Sequence, residues 1–374
     1  MTNRAKAYNR IKLVLSLIEL AFTLGFLGLL SFGGFSEPLA RLAREVTEQP
    51  YLQFIVFLFL LGAIQAVYGL PLSFYGGYLL EHRFGLSNQT LFQWIWQRTK
   101  GALVGLVIGL PLLLTFYFLL RHHPETWWFW LGVVLFGVMV LLARVAPVLI
   151  FPLFYKFTPL DNPELKTRLE KLLQPYGFHL EGLYRFNLSK DTRKANAAFM
   201  GMSRSKRIAL SDTLLDEFEP GEIEYVVAHE VGHFYLKHLI KQLVLHVLVT
   251  FVGLYLVHVG YSAYVQWKGY STLASLEALP FLALLMTLHT LGSAPVVNAF
   301  SRKHEFEADR FAVQASGQFQ AAKSALQKLA KMNLSDEHPH PVVEFMFYTH
   351  PSIPKRIQAI ETIEKEKQDE AASV

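Results

Sequence analysis

Long apolar stretches separated by short polar segments dominate the first 155 residues of the chain. These stretches lie at roughly 11–34, 51–80, 102–120 and 127–155. Each is long enough to cross a hydrocarbon core about 30 Å thick, so we predict four transmembrane helices. An alternative stays open, because the second stretch, or the fourth with its Pro147 and Pro152, could contain a second short crossing.

A polar insert and a second apolar block follow these four stretches. Residues 156–238 hold 24 charged side chains, whereas residues 239–300 hold only three. This contrast predicts a water-exposed insert followed by two further transmembrane helices, near 239–260 and 278–299. The predicted total is therefore six crossings, or seven if one stretch is divided.

Six crossings divide the chain into four parts with defined sides of the membrane. The parts are a four-helix membrane region at 1–155, the insert at 156–238, a two-helix membrane region at 239–300 and a polar C-terminal segment at 301–374. The N-terminus then lies on the same side as the insert and the C-terminal segment, and it is basic, with Arg4, Lys6, Arg10 and Lys12. Because positive charge marks the cytoplasmic side, we predict that this side is cytoplasmic.

Composition agrees with a membrane protein and excludes several other classes. Of 374 residues, 52% are hydrophobic and only 17% are charged, with a mean hydropathy of +0.29, whereas an average soluble domain has about 25% charged residues. The chain has no cysteine, which excludes disulfides, thiolate ligands and a cysteine nucleophile. The net charge of +5 suits the flanks of membrane helices, so the predicted partner is the lipid bilayer and not nucleic acid.

A metal-binding pattern lies near the end of the insert. Residues 222–238 lack proline and follow Pro220-Gly221, which predicts a helix. It contains His229-Glu230-Val231-Gly232-His233. Four residues advance a helix by about 400°, so the two imidazoles share one face and are spaced to bind one zinc ion. Glu230 points away from that shared position and is predicted to act as general base on a water. The alternative is a surface helix with two ordinary histidines.

The predicted third ligand follows the last apolar stretch. Glu305 and Asp309 are four residues apart, which places both on one face of a helix. We predict that Glu305 completes the metal site and that Asp309 orients a ligand imidazole. Glu307 lies about 200° round the helix from Glu305 and is expected to be a solvated charge. His304 is a competing candidate for the third ligand.

The order of these motifs resembles a known family. An HExxH motif, two apolar stretches and then Glu-x-x-Ala-Asp is similar to the integral-membrane zinc metalloproteases that include the type 1 CAAX prenyl endopeptidases. Residues 196–201 resemble the edge strand of that family, and His350-Pro351 followed by Arg356 resembles its C-terminal element. The resemblance implies a mostly α polytopic fold, with a barrel of six or seven transmembrane helices and a zincin-like α+β catalytic lobe on the cytoplasmic side.

The resemblance also implies roles for further residues. His350 would donate a hydrogen bond to the oxygen that becomes negative in the transition state, with Arg356 as its support. Substrate would pair with the edge strand by β-augmentation, through Asn196, Ala197, Ala198 and Phe199. Two alternatives stay open: His350 as a turn histidine before proline, and Asn196 as a cap in a structural hairpin.

These observations lead to a functional prediction with alternatives. The chain is predicted to be a membrane zinc endopeptidase with one zinc ion, cleaving near the C-terminus of prenylated or other membrane-attached peptides. A quality-control metalloprotease would use the same chemistry. A non-enzymatic transporter or scaffold with a structural metal is the alternative of another class. Two locations suit the prediction, a bacterial plasma membrane and the endoplasmic reticulum, and the oligomeric state is left open.

Overall fold

The computed structural model describes residues 2–200 and 205–372 of the chain. The membrane part of its first 155 residues is helical and contains seven helices. These are α1 (Thr2–Phe32), α2 (Ser36–Val46), α3 (Pro50–Phe74), α4 (Leu80–Arg83), α5 (Leu91–His122), α6 (Trp127–Val145) and α7 (Phe151–Phe154). Two five-residue π-helical turns, Tyr75–Leu79 and Ala146–Ile150, join α3 to α4 and α6 to α7 without a break. The second and fourth apolar stretches therefore each form one crossing.

The prediction of six membrane helices is confirmed within the described residues. Six helical segments are long and apolar enough to cross a bilayer, and they are Asn3–Phe32, Pro50–Arg83, Leu91–His122, Trp127–Phe154, His238–Lys268 and Leu276–Ser316. The last two correspond to α11 (His238–Lys268) and α12 (Leu279–Ser316). Helix α2 has only 11 residues, which at 1.5 Å per residue is too short to span the membrane.

The six spans are arranged as a closed ring. Helix α1 contacts α3, α3 contacts α5, and α5 contacts α6; α6 in turn contacts α11, α11 contacts α12, and α12 returns to α1. Few residues in the most apolar part of each span are buried inside the protein. This pattern fits the predicted barrel better than a solid bundle, in which the central faces would be buried.

The polar insert folds into a small sheet with helices packed against it. Its helices are α8 (Pro163–Leu173), α9 (Asp212–Glu217) and α10 (Pro220–Tyr235), and its strands are β1 (Phe157–Pro159), β2 (His179–Phe186), β3 (Ala197–Met200) and β4 (Ser205–Ser211). The strand order is β1-β2-β4-β3, with β2 and β4 parallel and the other two pairs antiparallel. Strand β3 therefore lies at the edge of the sheet, as expected for residues 197–200.

The C-terminal segment completes the lobe. It contains α13 (Phe319–Met332), α14 (Pro341–Phe347) and α15 (Ile353–Ala372). A single hydrophobic core joins α8, the sheet, α10, the end of α12, α13 and α15, with Leu169, Leu210, Ala228, Ala312 and Leu326 fully buried. The boundary drawn at residue 300 falls inside α12, which runs without interruption from the membrane into the lobe.

Candidate metal centre

Helix α10 carries the HExxH motif and begins two residues before the predicted start at Glu222. Pro220 is its first residue, and Glu219 and Glu222 form a reciprocal capping box. Glu222 is buried, which raises its pKa, but hydrogen bonds from Lys328 Nζ (2.7 Å) and Ser324 Oγ (2.5 Å) lower it by more. These contacts fix the start of α10 against α13. The helix ends at Tyr235, three residues short of the predicted 238.

Helices α10 and α12 approach each other unusually closely beside the motif. A Cβ atom added to Gly232 would lie 3.1 Å from Phe311 Cδ1 and 3.2 Å from the Cα atom of Ala308. Ala308 is fully buried. Because Gly232 and Ala308 are both small, the two helices pack closely. The side chains on their facing surfaces therefore come within reach of one another.

The three predicted ligands converge between these helices. The Nε2 atoms of His229 and His233 are 3.2 Å apart. Glu305 Oε2 lies 3.4 Å from His229 Nε2, and Glu305 Oε1 lies 3.5 Å from His233 Nε2. His229 and Glu305 are buried, and His233 is half-buried. His304 points away from this triangle and stacks on His238, with ring centroids 4.0 Å apart.

The spacing and chemistry of these donors fit a zinc ion. Zinc bound at 2.0–2.1 Å to corners of a tetrahedron separates its donor atoms by about 3.3–3.4 Å. The two imidazole Nε2 atoms are 3.2 Å apart, and each lies 3.4 or 3.5 Å from one oxygen of the Glu305 carboxylate. Glu305 Oε2 is buried and, among the described residues, has no hydrogen-bond partner. A buried carboxylate oxygen without a partner is costly, and a cation would satisfy it. Two imidazoles and one carboxylate are also a donor set typical of catalytic zinc.

Asp309 fixes the orientation of His229. Its Oδ1 atom lies 2.9 Å from His229 Nδ1. Since a carboxylate only accepts hydrogen bonds, Nδ1 carries the proton and the Nε2 lone pair is directed at the centre of the triangle. Tyr225 Oη also donates to Asp309 Oδ1, at 2.7 Å, and burial together with the Asp309 charge raises the pKa of Tyr225 well above its usual value.

Arg356 lies beside Asp309 and Glu305 and belongs to the lining of the cleft in front of them. Its guanidinium donates two hydrogen bonds to Asp309, and Nη1 lies 3.6 Å from Glu305 Oε2. The side chain is buried, with only 9% of its surface exposed. Its described polar contacts include Asp309, Glu305, His229 and Tyr225. This placement makes Arg356 a charge partner of the two carboxylates, whereas the sequence prediction assigned it to the support of His350.

His350 lies at the open side of the triangle. Its Nε2 atom is 3.3 Å from Glu305 Oε1, and its side chain is 61% exposed. Helix α12 holds the preceding turn in place, because Arg302 Nη1 donates to the carbonyl oxygens of Glu344 (3.0 Å) and Tyr348 (2.7 Å). An exposed imidazole held beside the ligands can donate to a molecule bound in front of them.

A cleft of about 440 Å³ opens onto the triangle. The predicted site residues that line it are Asn196, Ala197, His229, Glu230, Glu305, His350 and Arg356. Glu230 is half-buried there, one residue beyond His229 on α10. A carboxylate in this position faces the same space as a molecule bound to the ligands, which is what the predicted general base requires.

The predicted substrate segment reaches the cleft at Asn196 and Ala197. Asn196 Oδ1 accepts from the backbone N–H of Ala197 at 2.9 Å, so this oxygen is already used within the chain. Ala198 packs on the other face of the sheet, against Phe186, Leu188 and Ala209. The backbone of Phe199 belongs to β3, and Gly201 of the same motif lies outside the described residues.

Two features of the centre were missed by sequence analysis. Tyr225 lies four residues before His229, and this spacing places it on the same face of the helix as the ligands. It was missed because the HExxH motif does not include tyrosine. Glu307, expected to be a solvated charge, instead contacts buried His238, with 2.9 Å between Glu307 Oε2 and His238 Nε2. No one-helix argument could have found this contact, because the two residues lie on different helices.

Comparisons with known proteins match almost the whole chain. Residues 159–364 match peptidase family M48. Residues 2–156 match the family described as CAAX prenyl protease N-terminal, five membrane helices. Among the described residues, the corresponding region has four helices long enough to span a membrane, together with the short α2.

Relatives and a solved structure agree with these matches. The chain is 30% identical over 368 residues to an uncharacterized metalloprotease of Bacillus subtilis, covering 96% of this chain and 84% of that protein. It is 31% identical over 335 residues to CAAX prenyl protease 1 of Saccharomyces cerevisiae, covering 85% of this chain and 74% of that protein. The crystal structure of Ste24p from S. mikatae superposes with a TM-score of 0.83 at 28% identity, covering 96% of this chain and 88% of that chain.

Proposed function

The chain belongs to peptidase family M48 and is a membrane metalloprotease, and we propose that it uses one zinc ion, held by His229, His233 and Glu305, to cleave membrane-attached peptides. The observation that carries the proposal is the convergence of three side chains: the Nε2 atoms of His229 and His233 are 3.2 Å apart, and they lie 3.4 Å and 3.5 Å from the two oxygens of the Glu305 carboxylate. Three protein ligands leave a fourth position for water or substrate, whereas a structural zinc site has four. Membership of a peptidase family also argues against a non-enzymatic transporter or scaffold.

The residues around the triangle supply the parts of a peptide hydrolysis. Zinc, when bound, lowers the pKa of a water toward ~7 and polarises a carbonyl group. Glu230 lines the cleft beside the ligands and takes the proton of the attacking water, which it later passes to the leaving amine. His350 donates to the oxygen that becomes negative, a contribution of about 3–4 kcal/mol to the barrier.

Substrate recognition is assigned to the edge of the sheet. Within the part of the chain that the structure describes, strand β3 pairs with β4 on one side only, so we assign its other edge to pairing with an extended peptide. Its start, at Asn196 and Ala197, lines the cleft, and backbone pairing there would align a peptide with Glu230. Ala198 and Phe199 would contribute through their backbone groups.

Prenylated peptides are the proposed substrate class. The support comes from two relatives, CAAX prenyl protease 1 of Saccharomyces cerevisiae and the CAAX prenyl protease 1 homolog of Homo sapiens. The ring of membrane helices below the lobe suits a peptide that carries a lipid group. A quality-control protease with the same core chemistry is the second candidate, and the Bacillus subtilis relative, whose name specifies no substrate, is compatible with it.

The lobe is proposed to lie on the cytoplasmic side. The start of α1 and helix α4 contact the lobe directly, since Asn9 Nδ2 donates to Leu334 O (2.7 Å) and Lys194 Nζ lies 3.1 Å from Glu81 Oε2. All three therefore share one side of the membrane. That side carries the basic N-terminus, which the positive-inside rule assigns to the cytoplasm.

The decisive experiment compares the wild-type protein with Glu230→Gln, both as full-length protein in detergent. We expect one zinc ion per chain in both and a loss of hydrolysis of about 10²–10⁴-fold in the variant. The exposed Glu361→Gln on α15 is the control for the same chemical change. Hydrolysis that survives Glu230→Gln would exclude Glu230 as the general base. Hydrolysis that survives complete chelation would exclude a role for the metal in the reaction.

A second measurement addresses the substrate class. One peptide that ends in a Cys-a-a-X sequence is assayed with and without a farnesyl group on its cysteine. The prenyl-protease proposal requires a higher kcat/KM for the farnesylated peptide. Equal values would favour the quality-control function.

A further inference from the structure

A sharp change of direction follows the HExxH helix. Lys237 has a φ of 57°, in the left-handed region that a non-glycine residue rarely adopts, and α11 starts at the next residue, His238. On a continuous helix, five residues turn by about 500°, so His238 would point about 140° away from His233. The turn at Lys237 instead brings their Nδ1 atoms to 3.0 Å.

His238 is buried between His233 and an acid on α12. Only 2% of its surface is exposed, and its Nε2 atom lies 2.9 Å from Glu307 Oε2. Glu307 is one-third exposed, and its charge is flanked by Lys241 Nζ at 3.9 Å and Lys303 Nζ at 3.8 Å. A chain of two hydrogen bonds therefore leads from the surface carboxylate of Glu307 to the ring of His233.

The direction of each bond in this chain follows from the donors and acceptors. A carboxylate only accepts, so the Nε2–H of His238 donates to Glu307. A neutral imidazole with its proton on Nε2 has a lone pair on Nδ1, so His238 Nδ1 accepts from the Nδ1–H of His233. His233 then keeps its lone pair on Nε2, the atom that faces His229 and Glu305.

We propose that His238 and Glu307 are positioning residues that hold His233 in the tautomer and orientation needed to bind the metal. The proposal rests on the proposed function, because it takes His233 as a ligand. It gives His233 the kind of support that Asp309 gives His229, through one additional imidazole. Ligand histidines commonly depend on such partners. Helix α12 thus supplies a ligand, Glu305, and the anchors of both imidazoles.

The geometry of His304 argues against a second metal ion at this place. His304, His238 and Glu307 offer three donor atoms within 4.8 Å, and His304 Nδ1 is buried without a hydrogen-bond partner among the described residues. However, the rings of His238 and His304 are nearly parallel, with 7° between their planes. Imidazole lone pairs lie in the ring plane, so those of parallel rings do not converge on one ion. The stack instead holds His238 in position.

Metal retention tests the proposal without relying on catalysis. Full-length zinc-loaded protein in detergent is mixed with excess chelator, and the rate of zinc loss and the zinc content per chain are measured. We expect Glu307→Ala and His238→Phe to weaken zinc retention by about 10–100-fold. Glu307→Gln should restore most of it, because the amide oxygen still accepts from His238. His304→Phe keeps a flat ring against His238 and should retain zinc as the wild type does.

Folding and metal binding are separated by the thermal midpoint of the zinc-free proteins. At the partly exposed position 307, we expect the Ala and Gln variants to unfold at the same temperature without zinc and at different temperatures with it. Wild-type zinc retention in both Glu307→Ala and His238→Phe would overturn the proposal. A zinc content of two ions per chain in the wild type and one in His304→Phe would also overturn the proposal, because it would indicate a second metal site.

The outcome for the wild type distinguishes this inference from the proposed function. Wild-type protein that binds no zinc and cleaves no peptide contradicts the proposed function itself. Wild-type protein that holds one zinc ion and cleaves peptide, with variants that retain zinc equally well, contradicts only the role of His238 and Glu307.

Discussion

Arg356 and Asp309 form a two-pronged ion pair inside the lobe. Arg356 Nε donates to Asp309 Oδ2 at 2.7 Å, and Nη2 donates to Oδ1 at 2.6 Å. Both residues are buried, with 7% and 1% of their surfaces exposed. The pair joins α15, at the C-terminal end of the chain, to the acid that orients His229. The matching planar fork is a property of arginine that lysine lacks.

Loss of this pair should destabilise the lobe. Arg356→Ala leaves the Asp309 carboxylate buried without its cation, which we expect to cost about 3–5 kcal/mol of unfolding free energy. Arg356→Lys keeps the charge but not the fork and should fall between the alanine variant and the wild type. Thermal unfolding of the zinc-free proteins provides the measurement, with the exposed Arg310→Ala as control. Equal destabilisation by the two alanine variants would contradict the assigned role of the pair.

His350 should affect the rate of the reaction more than substrate binding. It lies beside Glu305 but remains exposed to the cleft, and removal of one hydrogen-bond donor to a developing oxyanion costs about 10²–10³-fold in kcat. We expect His350→Ala to lower kcat by this factor, with unchanged zinc content and a similar KM. His338→Ala, an exposed histidine of the preceding loop, should match the wild type. A change confined to KM would assign His350 to substrate binding.

The membrane part of the fold could be predicted from the sequence because span length and apolar composition are local properties. The residue at which the last helix ends could not be predicted in this way. Composition becomes polar after Phe300, yet α12 continues to Ser316, since a helix that leaves the bilayer can continue if its lobe end is packed. Ala312 and Val313 are fully buried there. A change of polarity marks the membrane surface, and it does not mark the end of a helix.

The grouping of the three proposed ligands could be predicted because His229 and His233, like Glu305 and Asp309, are four residues apart on single helices. The environment of Glu307 could not be predicted in this way. The prediction that Glu307 is solvated used only its angular position on α12. Its contact with His238 depends on the turn at Lys237, which brings His238 toward α12 from another helix. Arg356 likewise reaches Asp309 across 47 residues of sequence. Contacts between helices depend on their packing, which single-helix periodicity does not describe.

Gly232 should control how closely the two metal-binding helices approach. Its replacement by alanine places a methyl group 3.2 Å from Ala308 Cα and 3.3 Å from Ala308 O, so backbone atoms must move by a few tenths of an ångström. We expect Gly232→Ala to lower the unfolding free energy by about 1–3 kcal/mol and to weaken zinc retention, because Glu305 moves with α12. The measurements are thermal unfolding and zinc loss to a chelator.

The matched control for this substitution is Gly101→Ala. Gly101 lies within α5 with open space around its Cα atom, so the added methyl group should leave stability unchanged or raise it slightly through helix propensity. Zinc retention in this control should equal that of the wild type. A Gly232→Ala protein that behaves like the control would show that α10 and α12 can accommodate a larger residue without moving Glu305.

Glu344 should make the turn that carries His350 sensitive to acid. This buried carboxylate accepts from the backbone N–H of Ser352 at 3.2 Å and from Lys355 Nζ at 2.6 Å. Burial raises its pKa, but the two hydrogen bonds lower it by more, so the pKa lies below the usual value. A lowered pKa means that the charged form stabilises the fold above the unfolded pKa of about 4.3, and that this stability is lost as the pH falls below that value.

We therefore expect Glu344→Gln to be less stable than the wild type by about 1.5–3 kcal/mol near neutral pH, the value of a hydrogen bond to a charged group. The difference should shrink as the pH falls from 6 to 3, because the wild-type carboxylate becomes protonated. Thermal unfolding across this range provides the measurement, with Glu361→Gln on the exposed face of α15 as control. A difference that stays constant with pH would mean that packing, and not the charge of Glu344, holds the His350 turn.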